Sequence, residues 1–147
     1  MRPLEPYTFF IDRSLGTKDV PNAMRPGLLD GETLQIHDEL FAQDAIDQAW
    51  LSRVGSARWV ALSKDDAIRR RPAEVAALLA AKTAIFIFGG GNVRGADLGM
   101  AFLIALPRIR KAVKRFEPGL IGRINKAGEV SVIWGNGEQL KRVIQIR

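Results

Sequence analysis

Residues 7–16 read YTFFIDRSLG, a continuous apolar run followed directly by an aspartate and an arginine. An apolar run without polar alternation is typical of a strand that is covered on both faces, as in a parallel sheet. The run ends at Asp12, so this carboxylate either turns into solvent or is delivered to a site at the end of the strand. The rest of the chain has to decide between these two interpretations.

Short apolar strands alternate with helical segments along the chain. Further strands are predicted at residues 33–38, 58–63 and 83–88. Helices are predicted over residues 43–54, from Pro72 and from about Ala96. Gly55 is expected to end the first helix, and Pro107 is expected to bend or stop the last one. Strands separated by helices imply a mostly parallel sheet with helices on both faces.

Two segments break this alternation. Residues 16–31 contain two prolines and two flanking glycines, so we predict a loop with at most a short helix. Residues 120–134 hold Lys126-Ala127-Gly128 between two apolar segments, which predicts a β-hairpin. We find no internal repeat or linker, and a length of 147 residues fits one α/β domain over residues 1–147.

The composition excludes several classes of protein. The chain has no cysteine, which excludes a disulfide framework and a thiolate zinc site. His37 is the single histidine, so a dyad of two histidines is excluded, and we expect an ordinary hydrogen-bonded residue at a strand end. No apolar run approaches the about 18 residues of a membrane span, and the start of the chain lacks an apolar signal core. We therefore expect a cytoplasmic protein without a membrane partner.

The charge balance points to a polyanionic partner. Lys and Arg total 22 against 16 acidic residues, which gives a net charge of +6. A basic domain of this kind favours nucleic acid, although a soluble protein can also simply be basic. Each basic run alone is more often a solvated face, but two runs together on this domain favour contact with nucleic acid. The residues predicted to contact the nucleic acid are Arg13, Lys64, Arg69, Arg70, Arg71, Arg108, Lys111 and Arg115.

Aspartates follow two of the predicted strands. Asp12 follows the first strand, and Asp65 and Asp66 follow the third. In open parallel sheets, sites form beyond the carboxyl ends of the strands where the strand order reverses, so we expect these acids at one edge. The intervening helix adds Asp44 and Asp47, which are neighbours on one flank. Aspartates gathered in one crevice repel each other, and Mg²⁺ or Mn²⁺ would supply the counter-charge.

Each aspartate also has an ordinary structural interpretation. Asp12 could be a turn residue paired with Arg13, and Asp65 could cap the helix that it precedes. Asp66 fits a first-turn charge favoured by the helix dipole, and Asp47 could be a solvated helix residue. The predicted metal ligands are Asp12, Asp47 and Asp65, with Asp44 and Asp66 as substitutes.

Three segments carry a family resemblance: TFFIDRSLG at 8–16, HDELFAQDAIDQAWLSRVG at 37–55 and WVALSKDDAIR at 59–69. From about Tyr7 to Phe88 the chain resembles the PIN-like domains, specifically the VapC-type toxin ribonucleases of bacterial toxin–antitoxin modules. In that family an Asp ends the first strand, an acid precedes apolar helix positions, and Thr-x-Asp closes the next strand. The matching positions here are Asp12, Asp47 and Ser63-Lys64-Asp65, with serine in place of threonine.

The resemblance implies a PIN-like three-layer α/β/α sandwich with a mostly parallel central sheet and a C-terminal β-hairpin. It also implies an endoribonuclease dependent on Mg²⁺ or Mn²⁺, with Asp12, Asp47 and Asp65 as catalytic residues. The implied partners are the RNA substrate and a cognate antitoxin, and a homodimer is left open.

Two other functions remain as alternatives. The family often has a further acid between the first two, and Asp30, Glu32, Asp38 and Glu39 are all open candidates for it. This motivates a non-catalytic PIN-like nucleic-acid-binding protein as the alternative. A phosphotransfer domain with Asp12 as nucleophile is disfavoured, because Ser14 occupies the second position of the required Asp-x-Asp.

Overall fold

The computed structural model describes residues 2–41, 47–64 and 71–147, and for residues 47–49, 73 and 74 it describes the backbone alone. Its strands form one sheet in the order β2-β1-β3-β4-β5-β6-β7. The strands β1 to β5 are parallel to one another, β6 is antiparallel to β5, and β7 is antiparallel to β6. The strands are β1 Thr8–Ile11, β2 Thr33–Ile36, β3 Val60–Ser63, β4 Ala84–Phe88, β5 Leu120–Ile124, β6 Val130–Gly135 and β7 Glu138–Ile146. We call the edge where β1 to β5 end the carboxyl edge, and the opposite edge the amino edge.

Helices cover both faces of this sheet. The α-helices are α1 Asp19–Met24, α2 His37–Leu40, α3 Asp47–Ala57, α4 Pro72–Ala80 and α5 Gly95–Arg115. One core lies between the sheet and the helices α1 and α5, and a second core lies between the sheet and the helices α3 and α4. The predicted three-layer α/β/α arrangement with a mostly parallel sheet is therefore confirmed. Among the described helices, none combines the length and the apolar character that a membrane span needs.

The apolar run that opens the sequence is buried on both sides, as predicted. Phe9 and Ile11 of β1 enter the core under α1 and α5, whereas Phe10 enters the core under α3 and α4. All three side chains are fully buried. Phe10 stacks on Trp50 of α3 with the ring centroids 5.3 Å apart, which fixes α3 against the centre of the sheet.

Two predicted boundaries are wrong for reasons of backbone geometry. The second strand ends at Ile36 rather than at residue 38, because His37 begins the short helix α2. The third strand begins at Val60 rather than at residue 58, because Arg58 has a left-handed φ of 59°. The β-hairpin predicted over residues 120–134 is present as β5 and β6, and the strand β7, which was not predicted, extends it.

The predicted end of α3 at Gly55 is wrong, and of the two outcomes predicted for Pro107, a bend or a stop, the stop does not occur, because tertiary packing outweighs the local signal. The helix α3 continues through Gly55 to Ala57, and a Cβ at Gly55 would collide with the carbonyl oxygen of Ala81. Gly55 therefore permits a close approach instead of ending the helix. The helix α5 continues through Pro107 to Arg115, since buried residues such as Leu106 and Ile109 hold it on the sheet around the proline.

The order of the strands reverses at β1. The chain leaves β1 over the face that carries α1 to form β2 on one side, and it returns over the face that carries α3 to form β3 on the other side. The connections therefore diverge at the carboxyl ends of β1 and β3, which is where an open parallel sheet is expected to form a crevice. The first residue after β1 is Asp12.

Candidate active site

Asp12 is anchored in this crevice by its backbone. Its N–H donates to the carbonyl oxygen of Leu62 at 2.9 Å, which extends the pairing of β1 with β3 by one residue. Its carbonyl oxygen accepts from the N–H of Leu15 at 3.0 Å, and this bond closes the short 3₁₀ helix of residues 13–15. Only 6% of Asp12 is exposed. The carboxylate that ends the first strand therefore does not run out into solvent.

Two serine hydroxyls hold one oxygen of this carboxylate. Ser14 Oγ donates to Asp12 Oδ2 at 2.7 Å, and Ser63 Oγ donates to the same oxygen at 2.8 Å. The N–H of Lys64 donates in turn to Ser14 Oγ at 2.9 Å. Because Ile11 pairs with Leu62, the sheet register brings the last residue of β3 beside Asp12. These bonds fix the orientation of the carboxylate, and no hydrogen bond to its Oδ1 is found within residues 2–41, 47–64 and 71–147.

A lysine joins the crevice to the next loop. Lys64 follows β3, and its Nζ donates to the carbonyl oxygen of Val93 at 3.2 Å. Val93 lies in the loop between β4 and α5, so this bond links the ends of two neighbouring strands. The half-buried Lys64 also brings a positive charge to the carboxyl edge near Asp12.

His37 lies at the same edge, because the register that pairs Ile11 with Ile36 places the next residues side by side. Its side chain is buried, with Nδ1 3.0 Å from Asp38 Oδ1 and the ring packed edge-on against Phe10. The predicted role of an ordinary hydrogen-bonded histidine at a strand end agrees with these contacts.

The sequence belongs to a recognised group of domains over this part of the chain. A family model described as "PIN like domain" matches residues 7–90, which is more than half of the 147 residues. The chain belongs to this PIN-like family. The match includes the positions of all five candidate ligand aspartates and ends before α5.

One curated relative of this PIN-like chain comes from Mycobacterium tuberculosis (strain ATCC 25618 / H37Rv). It is named "Putative ribonuclease VapC45" and is 26% identical over 106 residues, which cover 71% of this chain and 77% of the relative. No solved structure matches the PIN-like chain at a significant level.

Only part of the predicted ligand set of the PIN-like domain can be located. Asp12 lies in the crevice, and Asp47 is the first described residue of α3, although its side chain is not described. The predicted ligands Asp44, Asp65 and Asp66 lie outside the described residues, as do the predicted RNA contacts Arg69 and Arg70. In the described part of the chain, no three acidic or histidine side chains come together as a metal site.

The open candidates for a further acid separate into two pairs. Asp30 and Glu32 precede β2 and therefore lie at the amino edge, away from Asp12. Glu32 is paired there with Arg110 at 2.7 Å. Asp38 and Glu39 follow β2 in α2 and lie at the carboxyl edge. Position in the sheet therefore removes Asp30 and Glu32 as ligands alongside Asp12.

The donor atoms described in the crevice suit a hard divalent cation. They are the carboxylate of Asp12, the hydroxyls of Ser14 and Ser63 and nearby backbone carbonyls, all of them oxygen donors. Mg²⁺ and Mn²⁺ prefer such ligands, and Mg²⁺ needs only one or two carboxylates beside its waters. The chemistry of these residues therefore fits the predicted metal.

The predicted RNA contacts lie in two separate regions. Arg13 is exposed directly beside Asp12, Lys64 lies in the crevice, and the exposed Arg71 precedes α4 at the same edge. Arg108, Lys111 and Arg115 lie on the second half of α5, and this half runs toward the amino edge. Their neighbours Arg110 and Lys114 pair with Glu32 and Glu5, which precede β2 and β1. The structure therefore does not bring this α5 stripe to the crevice.

Sequence reasoning missed the two serines that hold Asp12. In the sequence, Ser63 stands out only as a replacement for threonine, and Ser14 only as the absence of a second aspartate. The signal was available in Ser63-Lys64-Asp65, because serine and threonine share the hydroxyl that reaches the carboxylate.

Proposed function

We propose that this PIN-like domain is a VapC-type toxin endoribonuclease that hydrolyses RNA phosphodiester bonds with Mg²⁺ or Mn²⁺ held by aspartates. The observation that carries the proposal is the buried carboxylate of Asp12, held by two serine hydroxyls where the strand order reverses. Membership of the PIN-like family, a relative named as a ribonuclease and the net charge of +6 support it. The proposed catalytic ligands are Asp12, Asp47 and Asp65, with Asp44 and Asp66 as substitutes.

In this proposal the protein orients ligands and binds phosphate. Ser14 and Ser63 hold Asp12 Oδ2, so the carboxylate keeps one orientation and its Oδ1 is left for a cation. The proposed aspartates would hold a divalent ion, which would supply an activated water and stabilise the charge on the phosphoryl group. Arg13 directly follows Asp12 and the backbone of Lys64 is bonded to Ser14 beside it, so both residues bring positive charge near Asp12, where the RNA backbone has to be held.

The resemblance to VapC-type toxins extends the proposal to partners and location. We propose a cognate antitoxin as the protein partner, with a second copy of this chain as a further one, in the cytoplasm. Co-purification of the chain with the product of an adjacent small reading frame would support the first of these. Light scattering of the purified chain would report the second.

Cleavage of a labelled single-stranded RNA tests the activity. We expect cleavage with Mg²⁺ or Mn²⁺ and none with a chelator. Asp12→Asn should reduce the rate by about 100-fold or more, because removal of a ligand charge costs at least as much as removal of its supporting residue. Asp30→Asn is the matched control, since Asp30 is exposed at the amino edge and should be neutral.

The result that contradicts the proposal is cleavage that survives both Asp12→Asn and the chelator. RNA binding without cleavage by the wild type, under every metal condition, would favour the non-catalytic nucleic-acid-binding protein instead.

A further inference from the structure

A second cleft of about 540 Å³ opens at the carboxyl edge beside the Asp12 crevice. The loop after β4, the first turns of α5 and the turn between β5 and β6 form its walls. Its lining residues are Asn92, Val93, Arg94, Asp97, Met100 and Lys126. The two spaces are adjacent, because Lys64 contacts Ser14 through its N–H and Val93 through its Nζ.

Two basic side chains line the cleft without a hydrogen-bond or ion-pair partner in the described part of the chain. Arg94 and Lys126 are exposed, and across the described ranges their side chains make no hydrogen bond or ion pair. Among the described lining residues Asp97 is the single acid, so their side chains together carry one net positive charge. Arg94 also occupies the N-cap of the 21-residue helix α5 without a side-chain cap, and the helix dipole adds to the positive potential.

The cleft also offers an apolar surface next to these cations. Met100 is 47% exposed although it is a large apolar residue, and Val93 is half-buried beside it. A nucleotide presents the complementary combination, since its phosphate is anionic and the faces of its base are apolar. An RNA strand held over Asp12 has to continue past it, and this cleft is a cationic space joined to the crevice by Lys64.

We infer that this cleft binds a nucleotide of the RNA strand next to the scissile phosphate, with Arg94 and Lys126 on its backbone phosphate and Met100 against its base. The inference rests on the proposed function, since it assumes that RNA is the substrate. Arg94 and Lys126 are positioning residues, because they hold the strand and do not act on the scissile bond.

The test compares two double variants that lose the same charge. R94Q/K126Q removes the cations of the cleft, whereas R25Q/K82Q removes two exposed cations at the amino edge. Binding of a fluorescent single-stranded RNA is measured by anisotropy in chelator at several salt concentrations. We expect R94Q/K126Q to weaken binding about tenfold and to reduce the salt slope by about 0.7, the value for one lost phosphate contact on a single strand. R25Q/K82Q should change the affinity by less than about twofold.

Two further measurements separate positioning from a structural role. With metal present, R94Q/K126Q should raise KM much more than it lowers kcat, and its thermal melting should match that of the wild type. Met100→Ser should weaken binding of the RNA but not of a strand that lacks bases.

Equal weakening by the two double variants, or no effect of R94Q/K126Q, would overturn the inference. Unchanged RNA binding with lost binding of a polyglutamate peptide would also overturn it and assign the cleft to an acidic partner protein. The anisotropy experiment needs no cleavage, so a failure of the proposed nuclease activity leaves this comparison intact.

Discussion

Asp12 depends on Ser63 for its orientation, and this dependence can be measured. Ser63→Ala removes the 2.8 Å hydrogen bond to the buried carboxylate. We expect the free energy of unfolding to fall by about 1–2 kcal/mol, because a hydrogen bond to a charged group is lost in a buried place. We also expect the affinity for Mn²⁺ to fall by about 10-fold, as for other residues that support a metal ligand. Chemical denaturation and calorimetry measure the two effects.

Ser52→Ala is the control for this change, because Ser52 is exposed on α3. Its stability and metal affinity should stay close to those of the wild type. If Ser63→Ala also left both quantities unchanged, the hydroxyl would have no part in positioning Asp12.

Tyr7 gives a prediction about pH. Burial, together with the negative charge of Glu5, raises the pKa of Tyr7 to about 12 from its ordinary value of 10.0. Between these two values the unfolded chain loses the phenolic proton while the folded chain keeps it, so stability falls as the pH rises through this range. Because Tyr7 is the single tyrosine, tyrosinate absorbance reports it directly. We expect a midpoint near pH 12 in the folded protein and near 10 in denaturant.

The variant Glu5→Gln checks the cause of this shift. The phenol of Tyr7 donates to Glu5 Oε1 at 3.3 Å, so the variant should lower the midpoint while burial keeps it above 10. A midpoint near 10 in the folded wild type would show that Tyr7 is not buried in this way.

At the scale of single residues, the sequence reveals the acid but not its supports. Asp12 stands out because a carboxylate directly follows a fully apolar run. Ser14 and Ser63 do not stand out, because serine is common after strands and has many ordinary uses there. Only the register between β1 and β3 brings the two hydroxyls to one carboxylate oxygen.

The helix α5 contains a proline that should reduce its stability. Pro107 lies inside Gly95–Arg115, so one backbone hydrogen bond of the helix is missing and the ring crowds the preceding turn. Pro107→Ala should restore the donor. We expect the free energy of unfolding to rise by about 1–2 kcal/mol, which is the helix gain less the entropy that the unfolded chain regains. Denaturation followed by circular dichroism measures the change.

Pro26→Ala provides the comparison for this helix variant. Pro26 lies at the start of a 3₁₀ turn, where no backbone donor is needed, so its replacement should give no increase in stability. A loss of stability in Pro107→Ala would mean that the packing of α5 on the sheet depends on the proline.

At the scale of elements, apolar runs were predicted well and ends were not. The strands β1 and β4 are short, almost entirely buried apolar runs, and a run of this kind between turn signals is typical of a central strand. Gly55 and Pro107 are local stop signals that the packing of α3 and α5 overrides. The strand β7 was missed because its residues are largely exposed and its pattern is weak. Asn136-Gly137 was the available signal, since both residues adopt positive φ in the turn before β7.

At the scale of the molecule, the alternation of strands and helices predicts the fold class, but it does not predict the order of the strands in the sheet. The reversal of strand order at β1, which creates the crevice, depends on long-range pairing that no local pattern encodes. The same limitation affected the basic residues. Arg108, Lys111 and Arg115 share a helical stripe, yet the direction of α5 carries them toward the amino edge.

The proposed gathering of aspartates around a divalent ion would be a property of the whole fold, because the proposed ligands come from distant parts of the chain. Titration calorimetry with Mn²⁺ tests it without any substrate. We expect the wild type and Asp30→Asn to bind Mn²⁺ with the same affinity, and Asp12→Asn to bind it at least about 10-fold more weakly. Absence of Mn²⁺ binding by the wild type, or undiminished binding by Asp12→Asn, would contradict a metal site at the carboxyl edge.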